Sequence, residues 1–311
     1  MASSITPLIL PCLVSRYTLP SCLETRYAEE DVMEIEGAYG TRLQVTAFGG
    51  TGPGILLLHG LTDHAGTWAS TASWLTAYGR VVAYDARGHG MSERPAGPYT
   101  RDAYVGDAAA VIERLGLAPA LVIGHSMGGL TAWQLAGRRP ELVRGIVVGD
   151  MSPVTPVDAV RSWRDWLASW PVPFASLDEV RAYFGADRPA LGGVFAEVMR
   201  HGPDGWRPQA HAEHVVATVE HWAARDHRPE LALVRCPALV VAGGRSDNPV
   251  PGQREAADLL PDATFALLPE SGHVLHREDP AGWRAAVEPF AAVLCGRARG
   301  GARLTLGGGS A

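Results

Sequence analysis

The chain has 311 residues, 47% hydrophobic and 19% charged, a composition typical of a globular protein with a sizeable core. The formal net charge is −6 at pH 7 and the only short basic stretch is GRARGGAR near the C-terminus, which argues against a nucleic-acid partner. No apolar run approaches the roughly 20 residues of a membrane span. The four cysteines form no CxxC pair or dense framework, which predicts a reducing, cytoplasmic location; they are Cys12, Cys22, Cys236 and Cys295.

The first 30 residues read as a leader outside the folded core. Two prolines interrupt its apolar segment ITPLILPCLV, and no Lys or Arg precedes that segment, since the first basic residue is Arg16. A secretory signal is the alternative interpretation. At the other end, residues 298–311 are rich in glycine and are expected to form a flexible tail.

From residue 31 onward, short apolar runs alternate with helical patterns. The first pair, DVMEIEG and TRLQVTAFGG, is separated by the turn AYG and predicts an antiparallel hairpin at one edge of a sheet. Six solid apolar segments follow and predict strands covered on both faces: GILLLHG, RVVAYDARG, ALVIGHS, RGIVVGD, CPALVVAGG and ATFALLPE. The helical patterns between them include residues 67–78, 101–115 and 127–138. This succession predicts an α/β fold with a doubly wound, mostly parallel sheet, formed by residues 31–150 and 231–297.

Residues 151–230 interrupt this alternation. They are rich in Trp and Arg, lack strand-like runs and contain several helical stretches. We therefore expect an inserted helical cap. Because ligands of such sheets bind where the strands end, the cap would lie over the binding site.

The segment LVIGHSMGGL places Ser126 between a solid strand and a helix. A serine hydroxyl becomes a useful nucleophile only when a base removes its proton and a rigid backbone aims it. A sharp turn from strand to helix does the aiming, and the glycines at positions 124 and 128 relieve the crowding that such a turn creates. Ser126 is therefore the candidate nucleophile.

Two other segments supply the remaining parts of a serine hydrolase. After the strand in LLLHGLTDHAGTW, the N–H of Leu61 can form an oxyanion hole together with the N–H of Met127. In PESGHVLHREDP, His273 lies in a loop between the last strand and a helix, a natural position for a general base.

Taken together, these segments resemble the α/β-hydrolase fold. The resemblance rests on HG after the third strand, DARGHGMS after the fourth, GHSMGG after the fifth, an Asp-bearing loop after the seventh and GHVLHRE after the eighth, and it runs from about Asp31 to Cys295. It implies Ser126 as nucleophile and His273 as base. It also implies structural roles for Asp85, Arg87 and His89.

The carboxylate that orients the histidine has two candidates. Asp247, in VVAGGRSDNPVP, follows the seventh strand and matches the family's G-x-x-D spacing. Asp150, in IVVGDMSP, ends the sixth strand, the position of the acid in some members of the family. The spacing favours Asp247, but a sequence does not give the direction of a side chain, so both stay open.

The predicted cap carries Trp163, Trp166 and Trp170 at helical spacing, either as an apolar wall of the active site or as packing of the cap onto the core. His211, His214 and His221 show no HExxH pattern and no nearby carboxylate that completes a metal site, so we expect neither a metal nor a cofactor.

The function expected from these features is hydrolysis of a carboxylic ester or lactone of a hydrophobic small molecule. The same triad on this fold also supports C–C bond hydrolysis of vinylogous diketones, thioester cleavage and cofactor-free haloperoxidase activity. A ligand receptor with vestigial hydrolysis is a further alternative. Neither the oligomeric state nor the physiological substrate follows from the sequence.

Overall fold

The structure, a computed structural model, describes residues 32–223 and 225–296. The expected leader and tail, together with Cys12 and Cys22, lie outside these residues. Within them the strands are β1 (Val32–Glu36), β2 (Arg42–Gly49), β3 (Gly54–Leu58), β4 (Arg80–Tyr84), β5 (Ala120–His125), β6 (Val143–Gly149), β7 (Met199–Gly202), β8 (Gly205–Pro208), β9 (Ala238–Gly243) and β10 (Ala263–Leu268).

The α-helices of the same residues cover both faces of the main sheet and form most of the cap. They are α1 (Ala69–Leu75), α2 (Arg101–Arg114), α3 (Met127–Arg138), α4 (Ala159–Ala168), α5 (Leu177–Gly185), α6 (Pro189–Glu197), α7 (Ala212–Ala223), α8 (Arg228–Leu231), α9 (Val250–Leu259), α10 (Leu275–Glu278) and α11 (Pro280–Cys295). No helix in the described ranges has the length and apolar character needed to cross a bilayer.

The main sheet has eight strands in the order β1-β2-β4-β3-β5-β6-β9-β10. The pairs β1–β2 and β2–β4 are antiparallel and all others are parallel. The mostly parallel sheet and the hairpin at its edge are thus confirmed. Since β3 to β6, β9 and β10 run in one direction, their carboxyl ends meet at one edge, where the candidate residues follow them.

The solid apolar runs are explained by burial on both faces of the sheet. In β3, Leu56 and Leu58 pack into one cluster of buried side chains, and Ile55 and Leu57 pack into the other. The strand β10 departs from the expected full coverage, because several of its side chains are partly exposed at the edge of the sheet, where Leu267 is 42% exposed.

The cap follows β6 and consists of α4 to α7 together with the hairpin β7–β8. A purely helical cap is therefore not what the chain forms. The sequence signal for the hairpin is the turn at Pro203-Asp204-Gly205, in which Gly205 has φ of 131°, a conformation that glycine adopts easily.

Candidate active site

Ser126 occupies the turn between β5 and α3 with φ of 52° and ψ of −117°, a conformation that side chains rarely adopt. A Cβ on Gly124 would lie 2.1 Å from the Gly128 carbonyl oxygen, and a Cβ on Gly128 would lie 2.1 Å from the Leu58 carbonyl oxygen. The Ser126 N–H donates to the Gly149 carbonyl at 2.7 Å, whereas its hydroxyl does not cap the helix. The backbone is fixed, and the side chain faces a cavity.

His273 lies between β10 and α10 and lines the same cavity as Ser126. Its Nδ1 is 3.3 Å from Oδ2 of Asp150, and about a third of its side chain is exposed. Burial disfavours the charged imidazole, but the hydrogen bond and the negative charge of Asp150 outweigh burial and raise the pKa of His273; Asp247 and Glu278 contribute less. The contact leaves Nε2 for the chemistry, as a general base requires.

Asp150 is fully buried at the end of β6 and is held from several sides. Its N–H donates to the Val241 carbonyl at 2.8 Å. Its carboxylate accepts from Nε2 of the fully buried Gln253, and its carbonyl accepts from Nδ2 of Asn248 at 2.9 Å. Its φ of 51° shows that the surrounding contacts hold an uncommon backbone conformation. These neighbours direct the carboxylate at His273.

Asp247 is placed differently. Its side chain is 91% exposed and its nearest ionic partner is Arg188 of the cap, at 3.5 Å. The chain after β9 presents Asn248 and Gln253 to Asp150, and it turns Asp247 towards the cap. The geometry therefore favours Asp150 as the acid, the reverse of the order expected from spacing. Spacing located the loop but not the direction of its side chains.

The two predicted oxyanion donors flank Ser126. Leu61 lines the cavity, in a turn closed by the Asp63 N–H donating to the Gly60 carbonyl at 3.2 Å. Met127 is the first residue of α3, where a backbone N–H has no acceptor inside the helix. Both N–H groups can therefore serve a developing negative charge.

Buried polar contacts tie the surrounding loops together. His59 bonds the Gly60 carbonyl through Nδ1 at 2.7 Å and accepts the Ala86 N–H at Nε2 at 2.9 Å. Asp85 accepts backbone N–H groups from two loops at 2.8 and 2.7 Å. Arg87 forms a fully buried ion pair with Asp107 at 2.6 Å, and Nδ1 of His89 bonds the Arg87 carbonyl at 2.9 Å. These contacts support the structural roles expected for Asp85, Arg87 and His89.

A cavity of about 750 Å³ separates the cap from the carboxyl ends of the strands. Its cap wall is apolar and aromatic, formed mainly by Trp163, Trp166, Leu191, Val194 and Phe195. The floor contains Ser126 and His273. The candidate residues and an apolar wall thus face each other across one space.

The three tryptophans do not play the same part. Trp163 and Trp166 line the cavity, whereas Trp170 lies beyond the end of α4, is 5% exposed and packs behind them. Its ring is 4.8 Å from that of Trp166 and 4.9 Å from that of Phe184, both edge-on. Trp163 and Trp166 therefore fit the interpretation as a wall of the cavity, and Trp170 fits the interpretation as packing of the cap.

Helix α6 is bound to the core at both of its ends. At its start, Arg188 pairs with Asp247. At its end, the Glu197 carboxylate pairs with Arg277, and Nε2 of His64 donates to the Glu197 carbonyl at 3.2 Å, since Nδ1 of His64 accepts another N–H. No motif in the sequence predicts these contacts, which join the cap to the loops carrying Leu61 and His273.

A second cluster lies at the start of α7, where the ligand atoms of His211, Glu213 and His214 fall within 4.8 Å of one another. Glu213 therefore lies beside two of these histidines, which bears on the expectation that no carboxylate completes a metal site there. Burial, and to a smaller extent the charge of Arg94, lower the pKa of both imidazoles. A cation there would face Arg94 and the positive end of α7, so the cluster is a poor metal site.

The comparisons with known proteins agree with the fold. Residues 55–286 match the model of the "Alpha/beta hydrolase family". The chain is 25% identical to 2-(acetamidomethylene)succinate hydrolase of Mesorhizobium japonicum over 74% of this chain and 85% of that protein. It is 28% identical to 3-oxoadipate enol-lactonase 2 of Acinetobacter baylyi over 76% and 87%, respectively.

Among solved structures, that of E-2-(acetamidomethylene)succinate hydrolase superposes with a TM-score of 0.76 at 25% identity, over 83% of this chain and 98% of the other. The chain belongs to the alpha/beta hydrolase family.

Proposed function

We propose that this protein is a serine hydrolase that cleaves a carboxylic ester or lactone of a hydrophobic small molecule. Ser126 would be the nucleophile, His273 the general base and Asp150 the orienting acid. The observation that carries the proposal is the contact between His273 Nδ1 and the buried Asp150, on the floor of the cavity into which the strained Ser126 turn opens.

The reaction follows from these positions. The Ser126 oxygen attacks the carbonyl carbon while His273 Nε2 accepts the hydroxyl proton, and the oxyanion binds the N–H groups of Leu61 and Met127. The carbon–oxygen bond to the leaving alcohol then breaks, and His273 gives that alcohol its proton. Water next attacks the acyl-enzyme and passes a proton to His273, which returns it to the Ser126 oxygen as the acid departs. Throughout, Asp150 holds Nδ1–H and stabilises the imidazolium.

The cavity wall supports a hydrophobic substrate group. Trp163, Trp166 and Phe195 offer ring surface opposite Ser126, which suits an alkyl or aromatic acyl group. The name of one relative, an enol-lactonase, supports including lactones.

A substrate that also carries a carboxylate is a second candidate, favoured by Arg188. Among the described residues that line the cavity, Arg188 is the only lysine or arginine. The names of both relatives reported above refer to carboxylic acids, a succinate and an adipate. Matched esters with and without a terminal carboxylate separate this candidate from the first.

The test is turnover on a panel of esters of graded acyl length, lactones, thioesters and vinylogous diketones. Ser126→Ala is expected to lower kcat/KM by about 10⁴- to 10⁶-fold, because the triad acts as a unit. Ser162→Ala, which removes another hydroxyl from the cavity wall, is the matched control and is expected to keep most of the turnover.

A fluorophosphonate probe gives a second measurement. It should label the wild-type chain once, at Ser126, and should leave the Ser126→Ala chain unlabelled. A Ser126→Ala protein that keeps most of its turnover would refute the mechanism. Preference for thioesters or diketones over esters would change the bond but not the triad.

A further inference from the structure

His125 immediately precedes Ser126, at the end of β5, and is 3% exposed. Its Nε2 lies 2.8 Å from the backbone carbonyl oxygen of His273. Because a carbonyl only accepts, Nε2 must carry the ring proton. The residue beside the nucleophile therefore bonds the backbone of the residue proposed as base.

The same ring also packs against the oxyanion loop, residues 59–64, which follows β3 and carries Leu61. A Cβ on Gly60 would lie 2.7 Å from Nδ1 and 3.1 Å from Cε1 of His125, and 3.5 Å from the Ser126 Cβ. Gly60 directly precedes Leu61. The absence of a side chain at this position lets the loop approach the ring.

The base loop, residues 269–274 between β10 and α10, makes other hydrogen bonds, but they reach other elements. The Arg245 N–H donates to the Ser271 carbonyl at 2.9 Å, and the Val274 N–H donates to the Glu278 carboxylate at 2.8 Å. Among the residues that the structure describes, the His125 bond is the hydrogen bond that ties this loop to the strand carrying Ser126, and the rings of His125 and His273 also touch, with centres 4.8 Å apart. Its donor and acceptor are 148 positions apart in the chain.

We propose that His125 is a positioning residue: by donating to the His273 carbonyl and packing on Gly60, its ring fixes the base loop and the oxyanion loop relative to Ser126. As a statement about catalysis, this inference rests on the proposed serine hydrolase function. The contact itself does not depend on it.

The surroundings of the ring keep it neutral and rigid. Burial lowers the pKa of His125 to about 3, and the nearby His273 adds to this effect. His276 lies edge-on to it with ring centres 5.2 Å apart, and is itself stacked on Trp68 at 4.1 Å. With so low a pKa the bare Nδ1 of His125 is a very weak base, so the ring is unsuited to proton transfer and well suited to a fixed hydrogen bond.

Two substitutions separate a hydrogen-bonding role from a space-filling one. His125→Phe keeps an aromatic ring of similar shape but removes the donor. His125→Gln removes the ring but places an amide N–H near the former Nε2. If the hydrogen bond positions the two loops, His125→Gln should behave nearly like the wild type and His125→Phe should not. If the ring only fills space, the opposite order is expected.

The first readout is the titration of the His273 imidazole, followed by NMR in full-length protein labelled with ¹⁵N histidine. The titratable groups that face His273 are the carboxylates of Asp150, Asp247 and Glu278 and the imidazoles of His125 and His276, whose pKa values burial lowers. In His125→Phe the base should drift from Asp150, so its pKa should fall, and in His125→Gln it should stay near the wild-type value. An unchanged pKa in His125→Phe would overturn the proposal, whether or not the protein turns over any ester.

The second readout is steady-state kinetics on the best ester of the panel. His125→Phe should lower kcat by about 10- to 100-fold, the cost of a misplacement of about 1 Å, with a much smaller change in KM. His125→Gln should recover most of that loss. Equal losses in both variants, or a loss confined to His125→Gln, would contradict the hydrogen bond. A wild-type protein without Ser126-dependent turnover would instead remove the proposed function and leave the titration to decide the contact.

Thermal unfolding of both variants accompanies these measurements. If His125→Phe does not fold, His125→Leu, which also lacks a donor, takes its place in both readouts.

Discussion

The floor of the cavity and the cap above it are held by different kinds of contact. Beneath the floor, Asp150 and Gln253 are fully buried and each bonds more than one group. In the cap, ion pairs such as Arg164–Glu220 have both side chains more than half exposed. An exposed pair contributes only about 0 to 1 kcal/mol, whereas leaving a buried polar group without its partner costs about 1 to 3 kcal/mol.

This difference assigns different tasks to the two regions. A buried network with a strained backbone permits one arrangement, which suits groups that must meet the reacting atoms at fixed distances. The cap wall contains side chains that are only partly covered, such as Trp166, which is 37% exposed. We therefore expect substitutions on the floor to act on kcat and substitutions in the cap to act on KM and on the choice of substrate.

The strongest test of the floor is to replace each of the two candidate acids in turn by the corresponding amide. Asp150→Asn should lower kcat by about 10³- to 10⁴-fold, since an amide cannot hold the productive tautomer of His273. Asp247→Asn should lower it by no more than about threefold, because an exposed ion pair has little to lose. Steady-state kinetics on one ester measures both.

The two variants control for each other, because each replaces one oxygen by nitrogen at neighbouring loops. Circular dichroism and thermal unfolding should show that Asp150→Asn still folds. A large loss in Asp247→Asn with a small one in Asp150→Asn would restore the acid expected from spacing.

The predictable part of the molecule is the part fixed by the backbone. Gly124 and Gly128 flank Ser126 because no Cβ fits there, so the turn is visible as a spacing in the sequence. The solid strands are visible because burial on both faces excludes polar residues. His273 follows from its place after the last strand.

The choice of the acid could not be predicted from the sequence, because it depends on the direction of side chains. Asp150 directly follows β6 and Asp247 lies in the loop after β9, and only their surroundings, Gln253 for one and Arg188 for the other, decide which faces His273. The hairpin β7–β8 was missed because its strands have four residues each, too few to show a period of two.

The cap prediction compares two tryptophans. Trp166→Ala should raise KM for long-chain or aromatic esters by about tenfold, the worth of roughly 1.4 kcal/mol of lost ring contact, and should change the value for acetate esters little. Trp170→Ala, four residues further along the chain and beyond the end of α4, should instead lower the free energy of unfolding by about 3 kcal/mol, because that ring is buried and does not line the cavity. The ratio of kcat/KM between long and short esters, together with urea unfolding, distinguishes them. Equal ratios in the two variants would show that Trp166 does not contact the acyl group of the substrate.

The smallest expected effect concerns Asp247, which pairs with Arg188 of the cap and whose charge also raises the pKa of His273. The base acts as the neutral imidazole, and the pKa of His273 is raised, so kcat/KM should fall with decreasing pH along a limb that lies above the ordinary histidine value of 6.5. Removing a carboxylate removes stabilisation of the imidazolium and lowers that pKa, so Asp247→Asn should move the limb to lower pH. Asp158→Asn is the matched control: it also lines the cavity but is not among the charges that raise the pKa of His273.

The difference between the two variants is measured in the pH profile of kcat/KM, with an uncharged ester at low and high ionic strength. Because Asp247 is exposed, its contribution should shrink as salt screens it, whereas the much larger contribution of the buried Asp150 should persist. An acid limb that stays in place in Asp247→Asn, as it should in Asp158→Asn, would mean that the charge of Asp247 does not reach the base, and that the two regions are electrostatically independent.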